Sequence, residues 1–497
     1  MPATTTINGS ATTFEVRDPA TGEVVGVYPI HTRADVDAAV AAARPAGTWW
    51  AALGFAERAR RLDGWRGEIA RGRAELAELI HREMGKPVSD AKLEIAMALE
   101  HLRWAARNAE KVLGRRSVRP SLLTANHAAA VEYLPYGVVG VIGPWNYPVF
   151  TPLGSVSFAL AAGNAVVFKP SEYTPGVGRW LAEAFARVTP ELPVFQVVTG
   201  LGDTGNALCR SAVGKISFTG STATGKRVMA ACAENLTPLL MECGGKDALI
   251  VDADADLAAA ADAAVWGGLS NAGQTCLAVE RVYVHTAVYD RFVAELVARA
   301  RAIDAGTPES KIGPITMPKQ VAVIRRHIED AVERGARTLL GGIDGIRGQF
   351  VQPTILAEVP EDAAAITEET FGPTLTVTRV RDMDEAVELV NAGAYGLGST
   401  VFARRDGARI AERLRAGGTS INAFVAHATI PTLPLGGVGG SGFGRVHGPD
   451  GLKEFAYAKS TTTQRFPSPL PLTTFRRGER TDAVVDALVA VLHGRAR

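Results

Sequence analysis

Apolar and polar positions follow a helical period early in the chain and a strand-and-helix alternation later. After an extended start, Asp18-Pro19-Ala20-Thr21-Gly22 predicts a turn between two short strands, since proline fixes one backbone angle and glycine relaxes another. Thr32 with Asp35 three residues on predicts a capped helix start. Val36 and Val40 then share a face in an alanine-rich helix that Pro45 is expected to end. Amphipathic stretches over 56–84 and 90–113, divided by Gly85-Lys86-Pro87, predict further helices with a structural role.

From 128–134 and 138–142 the pattern turns to β-branched and aromatic runs interrupted by Pro135 and Gly137, which predicts strands joined by a turn. Short apolar runs at 165–168, 194–198, 216–218 and 248–251 alternate with helical segments such as 180–188. Such alternation predicts an α/β fold with a mostly parallel sheet, whose ligands bind beyond the carboxyl ends of the strands. A second alternating region, 265–418, with helices at 288–303 and 319–334, predicts another α/β domain. The glycine-rich segment 435–445 reads either as a flexible linker or as a place of close backbone approach. Pro467, Pro469 and Pro471 break regular structure, and a closing helix over 481–492 carries Val484, Val485, Leu488, Val491 and Leu492 largely on one side. It is too short to span a membrane, so docking on its own protein is expected.

Composition narrows the class. A chain of 497 residues exceeds one hydrophobic core, so two or three domains are expected. Lys and Arg number 53 against 52 Asp and Glu, a net charge of +1, which offers no electrostatic case for nucleic acid. Cys209, Cys232, Cys243 and Cys276 form no CxxC pair and no zinc-type cluster, so no metal is expected and a reduced compartment fits better than a disulfide framework. Residues 1–10 lack a basic and an apolar region, so no secretory signal is expected and a cytoplasmic location is. No apolar run reaches the roughly 20 residues of a membrane-spanning helix, and no internal repeat is present.

Six stretches could carry chemistry, and each is also open to an ordinary structural reading: a structural turn for the Asn146 loop, a plain capped turn for 218–226, a loop for 368–373, and those given below for the rest. Ser270-Asn271-Ala272-Gly273-Gln274-Thr275-Cys276 ends in a thiol that a glycine turn could expose as a nucleophile, although a lone cysteine is more often a small buried hydrophobe. Gly143-Pro144-Trp145-Asn146-Tyr147-Pro148 is a stiff loop in which the Asn146 amide could face a developing oxyanion. Lys169-Pro170-Ser171-Glu172 closes a predicted strand, where a lysine and a carboxylate can hold ribose hydroxyls, or form a plain solvated pair. In 218–226, Gly220, Ser221 and Gly225 join a strand to a helix start suited to a phosphate, though the stretch is neither GxGxxG nor a Walker loop. Glu242, ahead of Cys243-Gly244-Gly245-Lys246, could be a general base or a surface charge. In Glu368-Glu369-Thr370-Phe371-Gly372-Pro373, Glu369 could hold a second ribose and Phe371 could pack on a ring.

Taken together and in this order, these motifs resemble the NAD(P)-dependent aldehyde dehydrogenase superfamily over nearly the whole chain, from Val16 to about Arg465. The resemblance implies a Rossmann-like NAD-binding domain (1–119 and 137–243), an α/β catalytic domain (244–453), a small β oligomerisation element (120–136 and 454–466) and a C-terminal extension (467–497). It implies that Cys276 attacks the aldehyde, that the Asn146 amide and the Cys276 NH hold the oxyanion, and that hydride leaves a thioester which water, activated by Glu242, releases as the acid. It also implies cofactor contacts from Trp145 through its backbone, from Lys169 and Glu172 at the adenosine ribose, from Gly220, Ser221 and Gly225 near the pyrophosphate, and from Glu369 and Phe371 at the nicotinamide end. A carboxylate at Glu172 favours NAD, with NADP possible. Tyr147, Phe150, Gly154, Thr275 and Leu277 are the expected substrate pocket, with Gly154 leaving room for a bulky aldehyde. A homodimer or homotetramer is expected. Two features depart from the commoner pattern: Cys243 stands where Leu is usual, either inert packing or a redox partner, and the C-terminal extension is long. The rival readings are a CoA-acylating relative, which would need no base at Glu242, and a non-catalytic scaffold, against which intact Cys276, Glu242 and Asn146 weigh.

Overall fold

The computed structural model describes residues 12–307, 309–468, 470 and 472–494. Residues 1–10, together with Pro469 and Pro471, lie outside them. Two compact units are present: residues 1–112 with 135–457, and residues 113–134 with 458–497.

The large unit contains two sheets. Six strands run in the order Gly442–Phe443, Leu239–Glu242, Lys215–Thr219, Val138–Ile142, Ala165–Lys169 and Phe195–Val197. All neighbours are parallel except the first pair. Strand order reverses between Val138–Ile142 and Lys215–Thr219, and the loops that diverge there open a crevice at the carboxyl ends. The second sheet has seven strands, Arg337–Leu340, Thr354–Ala357, Thr374–Val380, Val279–His285, Asp247–Val251, Gly398–Phe402 and Gly418–Ile421, with only the first antiparallel to its neighbour. The run at 248–251, which the alternation groups with the first sheet, therefore belongs to the second. Only 243–246 separate strand Leu239–Glu242 from strand Asp247–Val251, so the chain passes from one sheet to the other at Glu242.

Helix Arg33–Ala52 begins with the expected capping box, Thr32 accepting from the Asp35 NH. It does not end at Pro45. Proline removes one hydrogen bond from a helix interior, but the turns after it are buried through Ala46, Gly47 and Trp50. The Trp50 Nε1 donates to the Leu160 carbonyl at 2.8 Å, and packing outweighs the local penalty. The stretch 56–84 is divided at Gly72 into Gly54–Arg71 and Arg73–Met84, followed by Val88–Leu113. Helix Phe150–Ala162 is buried on nearly every side. Its first turn is capped by Glu94, fully buried, whose Oε1 accepts from the NH groups of Val149 at 2.8 Å and Phe150 at 3.0 Å.

The glycine-rich segment is not a flexible linker. Strand Gly442–Phe443 pairs with Met241 and Glu242, and the Cys243 NH donates to the Ser441 carbonyl at 3.0 Å. A Cβ on Gly436 would lie 2.8 Å from Glu242 Oε1, so glycine is required there by close approach.

In the smaller unit, strands Arg116–Val118 and His127–Pro135 are antiparallel, and His127–Pro135 also borders Ala456–Gln464 to complete a three-stranded sheet. Helix Glu479–His493 has no buried residue, so the expected docking of its apolar side is not seen. No helix among the described residues is long and apolar enough to cross a membrane.

Candidate active site

The thiol of Cys276 sits at the end of a loop whose shape is set by three consecutive positive φ angles, Asn271 (52°), Ala272 (55°) and Gly273 (70°). Two of these are not glycine, a strained arrangement that surrounding contacts must hold. They do: the Asn271 amide donates to the Asn146 and Gln274 carbonyls, each at 3.1 Å. Gln274 donates to the Asn271 and Pro314 carbonyls and accepts from the Thr316 NH. At Gly273 a Cβ would fall 2.1 Å from the Gly372 carbonyl, so the loop runs against the segment carrying Glu369 and Phe371.

Asn146 is 5% exposed, and its Nδ2 donates to the Gln274 carbonyl at 3.0 Å. One amide hydrogen is thus used to lock the side chain, and the other is left for a ligand. Glu242, at the end of its strand, is buried with Oε1 lacking a hydrogen-bond partner among the described residues. Burial raises its pKa well above the usual carboxylate range, with Arg445 opposing. Cys276 is pushed up to about 12 by burial and by the carboxylates of Asp247, Glu369 and Glu242.

Two cavities meet here. One, of about 270 Å³, is lined by Cys276, Glu242, Tyr147, Phe150, Thr275 and Leu277. The other, of about 900 Å³, lies at the carboxyl ends of the six-stranded sheet. Cys276, Cys243, Thr151 and Thr219 line both. Trp145, Asn146, Lys169, Glu172, Gly220, Ser221, Glu369 and Phe371 line the larger one.

The larger cleft fits a dinucleotide. Lys169 Nζ is 3.4 Å from Glu172 Oε2, leaving a partly exposed carboxylate at a strand end where ribose hydroxyls can reach it. Ser221 caps helix Thr222–Ala233, whose first-turn NH groups and dipole favour phosphate. At the other end Phe371 adopts φ 51°, and its ring meets the Trp145 ring edge-on at 5.7 Å. The Trp145 ring thus packs at this end of the cleft.

Two expected positions fall elsewhere. Gly225 is not in the cleft wall; a Cβ there would meet Met241 Sδ at 3.0 Å and Cys243 Sγ at 3.1 Å, so this glycine seats the helix on the sheet. Cys243 accordingly serves as packing on that side while also reaching both cavities. Gly154 does not line the smaller cavity either, because a Cβ there would lie 2.7 Å from His447 Nε2. The space is filled by histidine and is not left for a ligand.

Sequence reasoning passed over the residues that hold the site. Buried Glu280 accepts from the NH groups of Thr370 and Phe371 and pairs with buried Lys246, whose Nζ also donates to Thr370 Oγ1 at 2.9 Å. This network sets the backbone around Glu369, whose carboxyl is raised to about 8 by burial and by Glu280. An acid at Glu280 in a stretch whose Val279, Val282, Tyr283 and Val284 are apolar was the available signal. Helix Val88–Leu113, expected to be structural only, lines the smaller cavity through Leu93 and Met97.

A statistical model of the aldehyde dehydrogenase family matches residues 6–461. The chain is 36% identical to the 4,4'-diapolycopene aldehyde oxidase of Methylomonas sp, over 91% of this chain and 86% of that protein. It is 37% identical to the glutarate-semialdehyde dehydrogenase of Pseudomonas putida, over 90% and 93%. Among solved structures, PnpE in complex with nicotinamide adenine dinucleotide superposes with a TM-score of 0.88 at 35% identity, over 93% of this chain and 96% of that one.

Proposed function

Because the chain belongs to the aldehyde dehydrogenase family, we propose that Cys276 is the nucleophile, Asn146 the oxyanion donor and Glu242 the base of its reaction. The protein oxidises an aldehyde to the carboxylic acid with reduction of NAD or NADP. The observation that carries the assignment is the position of Cys276 at the junction of the two cavities.

Cys276 Sγ, its proton passed to solvent, adds to the aldehyde carbon, and the carbonyl electron pair moves onto oxygen. The free hydrogen of the Asn146 amide and the Cys276 NH stabilise that oxyanion. As the carbonyl re-forms, the carbon expels its hydride and becomes a thioester carbon. NAD or NADP, when bound, would supply the hydride acceptor. Lys169, Glu172, Gly220 and Ser221 would hold its adenosine and phosphates, and Trp145, Glu369 and Phe371 its nicotinamide end. Glu242 then takes a proton from water, the oxygen bonds to the thioester carbon, and the thiolate leaves with the acid formed. The unpartnered Oε1 leaves Glu242 able to accept a proton, and burial, by raising its pKa, makes it a stronger base.

Glu172 supports a preference for NAD, since a carboxylate repels a 2′-phosphate. The domains are proposed to divide at 137–243 with 1–119 for the cofactor and 244–453 for catalysis. The exposed three-stranded sheet supports a homodimer or homotetramer formed through 120–136 and 454–466, and four free cysteines support a cytoplasmic protein.

Glu242→Gln tests the roles. It is expected to release one equivalent of NADH in a burst and then turn over about 100-fold or more slowly. Unchanged steady-state turnover, or loss of the burst itself, overturns the assignment.

A further inference from the structure

Charge in the smaller cavity is arranged against an anionic substrate. Its walls are formed largely by Met97, Phe150, Trp266, Phe424, Val425 and Leu435. Among the residues lining it there is no arginine. Lys86 is the one lysine, 1% exposed, and it is committed: its Nζ donates to Glu94 and lies 3.7 Å from the centre of the Tyr147 ring. Glu94 in turn is bound to the Val149 and Phe150 NH groups, so the pair cannot part without leaving a buried charge uncompensated.

The remaining ionisable groups add no cation. Asp90 and Glu242 are in the wall, and His447 is the one histidine there. Its ring is 3.9 Å from that of His101, and burial together with this neighbour lowers its pKa well below the usual value. A carboxylate entering the cavity would meet two acids, a neutral imidazole and apolar walls. A charge buried without a partner is strongly disfavoured.

Size adds a second limit. About 270 Å³ is just below the size of usual ligand pockets, which run roughly 300–1,000 Å³. Trp266, half exposed at 50%, offers an apolar face on the way in.

We propose that the aldehyde taken by this site is compact, uncharged and apolar, aromatic or short-chain aliphatic, and that semialdehydes bearing a distal carboxylate are rejected. The inference rests on the reading of Cys276 as the nucleophile for its orientation, and on the wall chemistry alone for its substrate class. It separates this chain from relatives named for glutarate semialdehyde.

The test compares kcat/KM with NAD for benzaldehyde, hexanal, succinate semialdehyde and methyl 4-oxobutanoate, the last being a neutral counterpart of the semialdehyde. Benzaldehyde and hexanal are expected to exceed succinate semialdehyde by about 100-fold or more, and the methyl ester to recover about tenfold or more of that deficit. Met97→Arg should narrow the gap by raising the semialdehyde and lowering benzaldehyde. Succinate semialdehyde equal to or better than benzaldehyde overturns the inference, as does an ester no better than its acid. Equilibrium binding to the Cys276→Ala protein separates this from the catalytic reading. If no aldehyde is oxidised yet that variant binds benzaldehyde and not succinate semialdehyde, the catalytic assignment falls and the substrate class stands. Preference of the variant for the semialdehyde overturns the substrate class whatever the turnover.

Discussion

The two cavities that meet at Cys276 are built by different means. The larger cleft takes its centre from loops that leave adjacent parallel strands at 142–146, 169–173 and 218–224, with further lining at 201–210, 227–231, 317–323 and 369–371. The substrate cavity gathers single side chains from 86–97, 147–151, 266–277, 424–435 and 446–447. The first offers backbone NH groups and carboxylates aimed at a ligand; the second offers mostly hydrocarbon. A constant cofactor can be held by fixed local geometry, whereas selectivity for an aldehyde depends on packing between distant segments.

Perturbing the junction should affect both sides. Asn146→Ala removes the proposed oxyanion donor and the lock on the Gln274 carbonyl, and is expected to lower kcat by about 10²–10³-fold, measured in steady state with saturating NAD. A change below threefold would show that the junction does not depend on this amide.

The junction also has a pH signature. Burial and neighbouring acids push the Cys276 pKa up to about 12, so the thiolate fraction rises with each pH unit below that value. Iodoacetamide labelling of Cys276, followed by peptide mass analysis, is expected to accelerate about tenfold per unit between about pH 7 and 10. A plateau below about pH 9 would mean that the acids around the thiol do not raise it as described.

Two further changes should separate the cavities. Gly154→Ala drives a Cβ to within 2.7 Å of His447 Nε2 and should destabilise the fold by about 1–3 kcal/mol, read as a lower Tm or denaturant midpoint. Aldehyde KM should change while the NAD dissociation constant does not. In the other direction, Glu172→Gln should shift the NADP to NAD ratio of kcat/KM by about tenfold with the ranking of aldehydes unaltered. Cross-effects of equal size in both variants would show that the cavities are coupled and not separable.

Contiguous features were legible before folding. The capping box at Thr32, the short parallel strands and the loops bearing Asn146, Glu172, Ser221, Glu242 and Cys276 all carry their signal within a few residues, because turns, caps and strand ends are local events. Their order along the chain was also enough to identify the reaction class. Pro45 shows the limit of local reasoning, since the burial of Ala46, Gly47 and Trp50 continues a helix that local propensity would stop.

Tertiary structure decided what each residue faces. Gly154 and Gly225 looked like ligand positions because their spacing is right, and both turned out to admit protein atoms, His447 in one case and Met241 with Cys243 in the other. The Lys86–Glu94 and Lys246–Glu280 pairs join residues whose spacing alone gives no sign that each lysine's charge is neutralised by a buried partner. Sequence by itself determined the fold class, the reaction and the chemical groups available, because these rest on local pattern and residue type. Only the folded chain decided which charges are cancelled, which glycines are filled and which cavity is apolar, because those properties belong to contacts between segments far apart in the sequence.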